Sequence, residues 1–274
     1  MNDRYGAKTF ITEIIVLIAA LLFCLPLYFV VSISLKPGDE IFESALVFTD
    51  NPQWENFPVV WNAGVANAFV SSVVITVGSV VLLVILGALC SYVLARRPGR
   101  LSNGLYIMFV LGVIIPFQLS IVSIYTVFQS VGLAGNCLGM IILWVGVMMP
   151  MAILLYTGFV RQLPRDYEEA ARIDGAGTLR IFARVVFPLL RPVTGSVAII
   201  TGLFIWNDFY ASLIFVGGSE AQTLPVAIYS FVGQYLSQWN LVFAAILVAI
   251  LPLIIFFILA QKQMIRGFAG GMKG

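Results

Sequence analysis

Apolar residues in this sequence fall into long runs, and charged residues are confined to the stretches between them. Charge-free runs cover residues 14 to 35, 56 to 95, 101 to 160, 192 to 207 and 221 to 261. A helix needs about 20 apolar residues to cross the hydrocarbon core of a bilayer, so these runs predict membrane-spanning helices. They favour helices over barrel strands, because barrel strands alternate between apolar and polar residues over about ten positions.

Two of the runs are too long for one crossing and must be interrupted. Residues 62 to 67 are predicted to lie outside the membrane, and the glycines and polar residues between 129 and 137 predict a turn. The fold class is therefore an all-α membrane protein, in which residues 1 to 274 form a single transmembrane domain. Six transmembrane helices are predicted, near residues 11 to 35, 68 to 95, 103 to 128, 138 to 160, 193 to 216 and 241 to 261.

Basic residues predict the orientation, because Lys and Arg collect in cytoplasmic loops. If the amino terminus is inside, the six Arg between residues 161 and 191 and the three between 96 and 100 are all cytoplasmic. Only Lys36 then lies outside. Both termini, including the tail at residues 262 to 274, are predicted to be cytoplasmic.

Composition and missing motifs exclude several classes of function. Only 10% of the residues are charged, against about 25% in soluble domains. The sequence has no histidine, no cysteine cluster with metal-binding spacing, and no glycine-rich loop of the kind that holds nucleotide phosphates. We therefore expect no catalytic residue, no metal site and no cofactor in this chain. Any ATP that drives it must be hydrolysed by another subunit.

The longest polar interruption is the predicted cytoplasmic loop at residues 161 to 191. A short helix is expected to begin at Pro164, which suits a first helical turn, or at Asp166, which with Glu169 resembles a capping box, and to run to about Asp174. Gly175 can adopt the left-handed conformation that terminates a helix. Thr178 is expected to cap a second helix. The loop is thus predicted to contain two short helices joined by a turn, parallel to the membrane.

Side chains in the first of these helices are spaced for local contacts. Glu168 and Glu169 are four and three residues before Arg172, so each can pair with it within the helix. Ala170 and Ala171 lack bulk and would let a partner approach the backbone closely. From the residues alone, a docking helix and an ordinary surface helix at the edge of a bilayer remain equally acceptable interpretations.

The same loop resembles the EAA loop of ABC importer permeases. The resemblance rests on Glu169-Ala170-Ala171, on Gly175 after three intervening residues, and on Val185-Val186-Phe187-Pro188. The family pattern usually ends Ile-x-Leu-Pro, so Val185 and Phe187 depart from it while remaining apolar. Further stretches resemble the maltose-type sugar permeases, in particular the MalG-like subunit, over nearly the whole chain: Pro26, Ser34-Leu35-Lys36, Trp206-Asn207-Asp208-Phe209 and Gln222-Thr223-Leu224-Pro225.

This resemblance implies the type I (MetI-like) permease fold of ABC importers and a role in sugar import. In that family the EAA helix docks into a cleft on a cytoplasmic ATPase and couples closure of the ATPase to alternating access. The residues that would carry ATPase coupling here are Glu168, Glu169, Ala170, Ala171, Asp174 and Gly175. By the same resemblance, the tail at residues 262 to 274 would reach into the ATPase dimer, while its four glycines are equally typical of a frayed terminus.

The resemblance also implies partners and a location. The chain would form a heterodimer with a homologous sister permease and would work with two cytoplasmic ATPase domains and an extracytoplasmic sugar-binding protein. ATP and Mg²⁺ would be bound by the ATPase. The chain would contact membrane lipid and no nucleic acid, as a multi-pass protein of the inner (cytoplasmic) membrane of a prokaryote.

Substrate contacts are harder to find in the sequence than coupling residues. The polar, proline-broken stretch at residues 116 to 126 suggests that Gln118 lines a pathway, and Asn207 and Asp208 are further candidates. Hydrogen bonding between helices and an interfacial turn are the corresponding structural interpretations. The alternative function is a stand-alone secondary transporter or channel, but the near absence of charge within the spans argues against it, because proton and ion relays depend on such groups.

Overall fold

The computed structural model describes residues 7–42, 46–97, 99–234 and 238–271. Within these ranges every regular element is a helix, as predicted. The α-helices are α1 Ala7–Ser34, α2 Asn56–Val60, α3 Ala66–Arg96, α4 Arg100–Ile114, α5 Ile121–Ser130, α6 Cys137–Gln162, α7 Asp166–Ile173, α8 Thr178–Ile181, α9 Phe187–Leu189, α10 Arg191–Trp206, α11 Tyr210–Val216, α12 Leu224–Gln234 and α13 Trp239–Gly271. Short 3₁₀ or π turns occupy Glu40–Phe42, Trp61–Val65, Phe117–Ser120 and Phe182–Val186.

Several helices in the described chain are long and apolar enough to cross a membrane. Three do so as single helices: Thr9–Ser34, Asn56–Arg96 and Cys137–Gln162. Two more candidates are bent pairs, Arg100–Ile114 with Phe117–Ser130 at 87° and Thr178–Leu189 with Arg191–Trp206 at 75°. Trp239–Ile255 is a shorter apolar helix. These segments overlap the six predicted spans in order.

Two predicted spans differ from the structure in the same way, because each contains a break. The third span bends between Ile115 and Pro116, where both residues are extended. Proline disfavours the helical conformation in the residue before it and therefore explains this bend. The fifth span was predicted as one helix over residues 193 to 216. Instead α10 ends at Trp206, and α11 begins at Tyr210.

The predicted turn at residues 129 to 137 is confirmed. Gly132 and Gly135 have φ of 72° and 80°, a region that favours glycine. Asn136 then caps α6 by accepting a hydrogen bond from the Gly139 amide at 2.9 Å. At the other end of the chain, α13 continues through most of the predicted tail to Gly271, and residues 272 to 274 lie outside the described residues.

The described chain divides into two compact units. The first comprises residues 1–66 and 228–251. Its α1 is apolar on all sides, and no side chain from Thr9 to Val31 is buried within the described chain. Burial begins at the end of α1, where the side-chain nitrogen of Asn56 donates to the Ser34 carbonyl at 2.9 Å. Asn240, in α13, donates to the Asn56 side-chain oxygen at 3.1 Å. Asn56 thus fastens the ends of two long helices together.

The second unit comprises residues 67–227 and 252–274, and its apolar core surrounds α6. Trp144 and Tyr156 are fully buried there. Trp144 makes edge-to-face ring contacts with Phe117 and Phe204, each with ring centroids 5.6 Å apart. The Tyr156 hydroxyl lies 3.0 Å from that of Thr194. The central helix therefore holds both bent helix pairs through aromatic contacts and one hydrogen bond.

The tight start of α6 yields a stability prediction. A Cβ atom on Gly139 would collide with the carbonyl oxygen of Leu133, whereas Gly146 in the same helix has open space. Because overpacking costs about 1–3 kcal/mol, we expect Gly139→Ala to lower the unfolding temperature of the purified protein in detergent. The matched control Gly146→Ala should not lower it, because alanine favours helices by about 1 kcal/mol over glycine. Equal unfolding temperatures for the two variants would contradict this packing.

Candidate functional site

The predicted cytoplasmic loop begins where α6 ends. Leu163 is extended, as expected for a residue that precedes proline, and this stops α6 at Gln162. Helix α7 begins at Asp166, one of the two predicted starts, after Arg165, whose side chain makes no cap hydrogen bond. The first turn of α7 carries three acidic residues and its last turn carries Arg172, an arrangement that complements the helix dipole.

A Schellman motif ends α7. Gly175 has φ of 78°, as predicted, and its amide donates to the Arg172 carbonyl at 3.0 Å. The Ala176 amide donates to the Ala171 carbonyl, also at 3.0 Å. These two hydrogen bonds define the motif, and the half-buried Ala171 and Ala176 both pack against the core. The end of α7 is therefore fixed both by its backbone and by its small apolar side chains.

The second helix of the loop begins differently from its prediction. Thr178 is its first residue, Gly177 occupies the capping position, and no side chain caps the helix. Helical structure runs from Thr178 to Leu189 with a π turn over Phe182–Val186. This turn lies just before Pro188, whose ring cannot fit a regular helical hydrogen-bond ladder. Ile181, Phe182 and Val186 face the core, so the second helix is anchored by apolar contact.

Glu168 turns inward from α7 and meets two residues of α3. Its Oε1 atom lies 2.6 Å from Nε of Arg96, and its Oε2 atom accepts a hydrogen bond from the Tyr92 hydroxyl at 2.8 Å. The Arg96 and Glu168 side chains are only 12% and 9% exposed. Arg96 also donates through Nη2 to the Leu163 carbonyl at 2.9 Å. Both carboxylate oxygens are therefore satisfied, and removal of one charge from such a buried pair typically costs about 3–5 kcal/mol.

This pairing corrects the local pairs predicted from the sequence. Neither Glu168 nor Glu169 forms a salt bridge with Arg172 in the described structure. Helical spacing permits such pairs, but an intrahelical pair contributes only about 0.2–0.5 kcal/mol. The buried contact with Arg96 and Tyr92 offers Glu168 a more favourable environment. Tyr92 also contacts the second loop helix, because its ring centroid lies 5.3 Å from that of Phe182.

The opposite face of α7 is exposed. Glu169, Ala170 and Asp174 are all exposed, and Ile173 is 87% exposed. Leu179, at the start of the second helix, is 74% exposed. Large apolar side chains beside charged ones on a polar loop are typical of an interaction surface. Of the six predicted coupling residues, four are exposed, Ala171 is half-buried and Glu168 is buried.

A cavity of about 630 Å³ opens beside the Arg96–Glu168 pair. Its charged lining consists of four arginines and two glutamates: Arg96, Arg97, Arg165, Arg172, Glu168 and Glu169. Glu168 neutralises Arg96, and the other three arginines outnumber Glu169, so the lining is net positive. Among the described residues, Glu169 is the one lining carboxylate outside the Arg96–Glu168 ion pair.

The predicted pathway residues do not form one site. Gln118 is exposed at the bend after Pro116 and lines a cavity of about 520 Å³ with Phe204. Asn207 and Asp208 do not line that cavity. The side-chain amide of Asn207 donates to the Leu203 carbonyl at 2.8 Å. The Asp208 carboxylate accepts hydrogen bonds from the backbone amides of Ala211 and Ser212. Asn207 therefore ends α10, and Asp208 caps the start of α11.

Sequence analysis did not identify Tyr92 and Arg96 as part of the loop's structure. Arg96 was interpreted only as a marker of the cytoplasmic side, and Tyr92 lay within an apolar run. Arg96 is separated from Glu168 by 72 positions in the sequence. The one available signal was a basic residue placed directly at the end of a membrane helix, which does not identify its partner.

Long apolar helices and bent helix pairs are typical of a multi-pass membrane protein. Residues 83–269, more than half of the chain, match the family described as the binding-protein-dependent transport system inner membrane component. The chain belongs to this family. It is therefore a permease subunit of an ABC importer and not an enzyme, and ATP is hydrolysed by a separate subunit.

Named relatives cover almost the whole chain. It is 37% identical to the melibiose/raffinose/stachyose import permease protein MelC of Bacillus subtilis, over 98% of this chain and 99% of that protein. It is 31% identical to the multiple sugar-binding transport system permease protein MsmG of Streptococcus mutans, over 99% of both proteins. The stand-alone transporter alternative is not favoured by these matches.

A solved structure has the same fold. It is a bacterial ABC transporter involved in the import of the acidic polysaccharide alginate, matched with a TM-score of 0.78 and 21% identity over 95% of this chain and 99% of the other. The likeness confirms the predicted importer permease fold. A permease of this kind works with a partner permease, ATPases and a substrate-binding protein, as a multi-pass membrane protein of prokaryotes.

The cap of α7 yields a prediction about local stability. We expect Gly175→Ala to loosen the end of α7, because a left-handed conformation costs an alanine about 1–2 kcal/mol. Hydrogen exchange at the Ala176 amide should accelerate roughly 5- to 30-fold, the equivalent of that free energy. Gly177→Ala is the matched control, because Gly177 has φ of −71° and, like Gly175, open space around it. Similar exchange in both variants would refute the role of the cap.

Proposed function

We propose that this chain is one half of a heterodimeric permease that imports a carbohydrate. Its other half would be a homologous sister permease, and an extracytoplasmic sugar-binding protein would deliver the substrate. The names of the relatives support this substrate class, because both MelC and MsmG are named as sugar permeases. The exposed apolar surface of α1 provides area for contact with lipid and with the sister subunit.

The proposed membrane arrangement has six spans and both termini in the cytoplasm. Five spans would come from the three single helices and two bent pairs, and the sixth from α13. The distribution of Arg and Lys supports this orientation, since it places the loop at residues 161 to 191 inside. The membrane would be the inner (cytoplasmic) membrane of a prokaryote.

In this proposal α7 is the element that the ATPase moves. The single observation that carries it is that α7 is capped at its carboxyl end by the Gly175 turn and yet presents an almost completely exposed Ile173. Glu169, Ala170, Asp174 and Gly175 would meet a cleft on the ATPase, with Glu169 opposite a basic residue. Ala171 would pack against the core on the buried side of the helix. ATP and Mg²⁺ would be bound by two ATPase domains, and this chain would need no cofactor of its own.

For the substrate pathway we propose Gln118, because it is a polar side chain in a largely apolar cavity at a helix bend. Such bends are tolerated in membrane proteins where the backbone meets protein or a water-filled space. Asn207 and Asp208 would instead border the pathway at the end of α10, where their hydrogen bonds support a structural role.

The proposed function is tested by transport in reconstituted vesicles. The chain, its sister permease, the ATPases and the binding protein are assembled, and uptake of labelled raffinose, melibiose, maltose and a polyol is measured with and without ATP. We expect ATP-dependent uptake of at least one sugar. Uptake without the ATPases would contradict the importer mechanism, and uptake of the polyol alone would contradict the sugar assignment.

The coupling surface is tested by Glu169→Lys. A lysine at this exposed position would face a basic residue of the ATPase and be repelled by it. Uptake should therefore fall to background while the chain remains in the membrane. The matched control is Asp166→Lys, which makes the same charge change at an exposed position of the same helix. Equal uptake by the two variants would show that Glu169 has no special role.

Gln118→Ala tests the pathway. Loss of one hydrogen bond to a neutral sugar hydroxyl typically costs about 0.5–1.5 kcal/mol. We therefore expect the KM for uptake to rise by up to about tenfold, since 1.4 kcal/mol corresponds to a factor of ten. Gln129→Ala, an exposed change in neighbouring α5, should leave the KM unchanged. An unchanged KM for Gln118→Ala would remove this residue from the pathway.

A further inference from the structure

We propose that Tyr92, Arg96 and Glu168 form a rigid link that makes α7 move together with the cytoplasmic end of α3. The inference rests on the proposed coupling function of α7 and adds the route by which a displacement of α7 enters the membrane helices. These three side chains are positioning residues. They would act on transport through α7 and would not themselves touch the ATPase or the sugar.

The geometry of the link restrains α7 in more than one direction. Tyr92 and Arg96 are four residues apart on α3 and therefore share a face of that helix. Each takes a different oxygen of the Glu168 carboxylate, at 2.8 and 2.6 Å. Two attachments one helical turn apart fix both the position and the rotation of the carboxylate relative to α3.

A third hydrogen bond extends the link to the start of the loop. The Arg96 guanidinium donates to the Leu163 carbonyl at 2.9 Å while its Nε atom pairs with Glu168. A guanidinium is planar and rigid, so one side chain holds the end of α6 and the middle of α7 in a fixed relation. The loop can then transmit a displacement without first absorbing it in the extended segment around Pro164.

Burial makes the link strong enough for this role. The Arg96 and Glu168 side chains are nearly enclosed, so water and salt screen their attraction far less than that of an exposed pair. The receiving helix, α3, is 31 residues long and contributes buried side chains from Ala68 to Leu94. A movement of α7 that is passed to α3 therefore reaches the whole core of its unit.

The two adjacent glutamates of α7 consequently have different roles. Glu168 is buried, with both oxygens occupied by α3, whereas Glu169 is exposed. A partner protein can reach the carboxylate of Glu169 without disturbing the fold, but it cannot reach that of Glu168. The predicted coupling role of Glu168 is therefore specified here as an internal attachment of α7 to α3.

The first test separates coupling from assembly. Complexes with the sister permease, ATPases and binding protein are reconstituted with Glu168→Gln or Arg96→Gln, and ATP hydrolysis and uptake of labelled raffinose are measured in the same vesicles. We expect both variants to assemble and hydrolyse ATP, with uptake per ATP hydrolysed reduced about tenfold, a typical size for coupling between sites. Arg97→Gln, an exposed neighbour with the same loss of charge, should keep the normal ratio.

Two results of this test would overturn the proposal. A normal ratio of uptake to hydrolysis in both variants would show that the link is not needed for coupling. Failure of Arg96→Gln to bind the ATPases, when Arg97→Gln binds them, would assign the pair a purely structural role. Absence of raffinose uptake in the unaltered complex would count against the proposed substrate class and is therefore distinguishable from failure of the link.

A distance measurement tests the link without any sugar. Spin labels are placed on Val93→Cys in α3 and Asp166→Cys in α7, in a chain whose Cys24, Cys90 and Cys137 are replaced by Ser. A rigid link predicts the same mean distance between labels in the nucleotide-free and ATP-bound complexes, and a broader distribution when Arg96→Gln is added. A shift of the mean on ATP binding in the otherwise unaltered chain would overturn the proposal.

Discussion

A bilayer offers no water to unpaired backbone groups, and the architecture of this chain follows from that constraint. At several helix ends, a side chain or a tight turn hydrogen-bonds the free amides or carbonyls. Asn136 and Asp208 accept hydrogen bonds from backbone amides at the starts of α6 and α11, and Arg96 donates one to the carbonyl of Leu163. Gly175 closes the end of α7 through the backbone alone. The positions of these groups determine where the chain can bend.

In its proposed role, the loop at residues 161 to 191 combines two requirements that usually conflict. A surface that binds another protein needs exposed apolar and charged groups. A surface that transmits movement must also be firmly attached, on its other side, to the rest of the protein. Helix α7 meets the first requirement with Ile173 and Glu169 and the second with Glu168 and Ala171. A helix of only eight residues can do both because its two faces are separated by the helical period.

Sequence alone predicted the long apolar helices, the turn before α6, the approximate end of α7 and the conformation of Gly175, because each depends on local pattern or on the backbone preferences of glycine. It left the start of α7 open between Pro164 and Asp166. It missed the separate start of α11, which depends on where Asp208 places its carboxylate. It also paired Glu168 with Arg172, a helical neighbour, when the partner is Arg96. Helical spacing gives only local neighbours, whereas this contact depends on how α3 and α7 pack. A buried ion pair between distant positions leaves no periodic signal in one sequence.

The exposure of α1 has a consequence for how the protein is made. No side chain from Thr9 to Val31 is buried within the described chain. This helix therefore gains little from the later segments and must be stable in lipid as a lone helix when it leaves the translocon. Its apolar side chains supply that stability without help, since lipid tails solvate them as well as protein does. Insertion of α1 can thus precede folding of the rest, and most of its surface stays available to lipid or to another subunit.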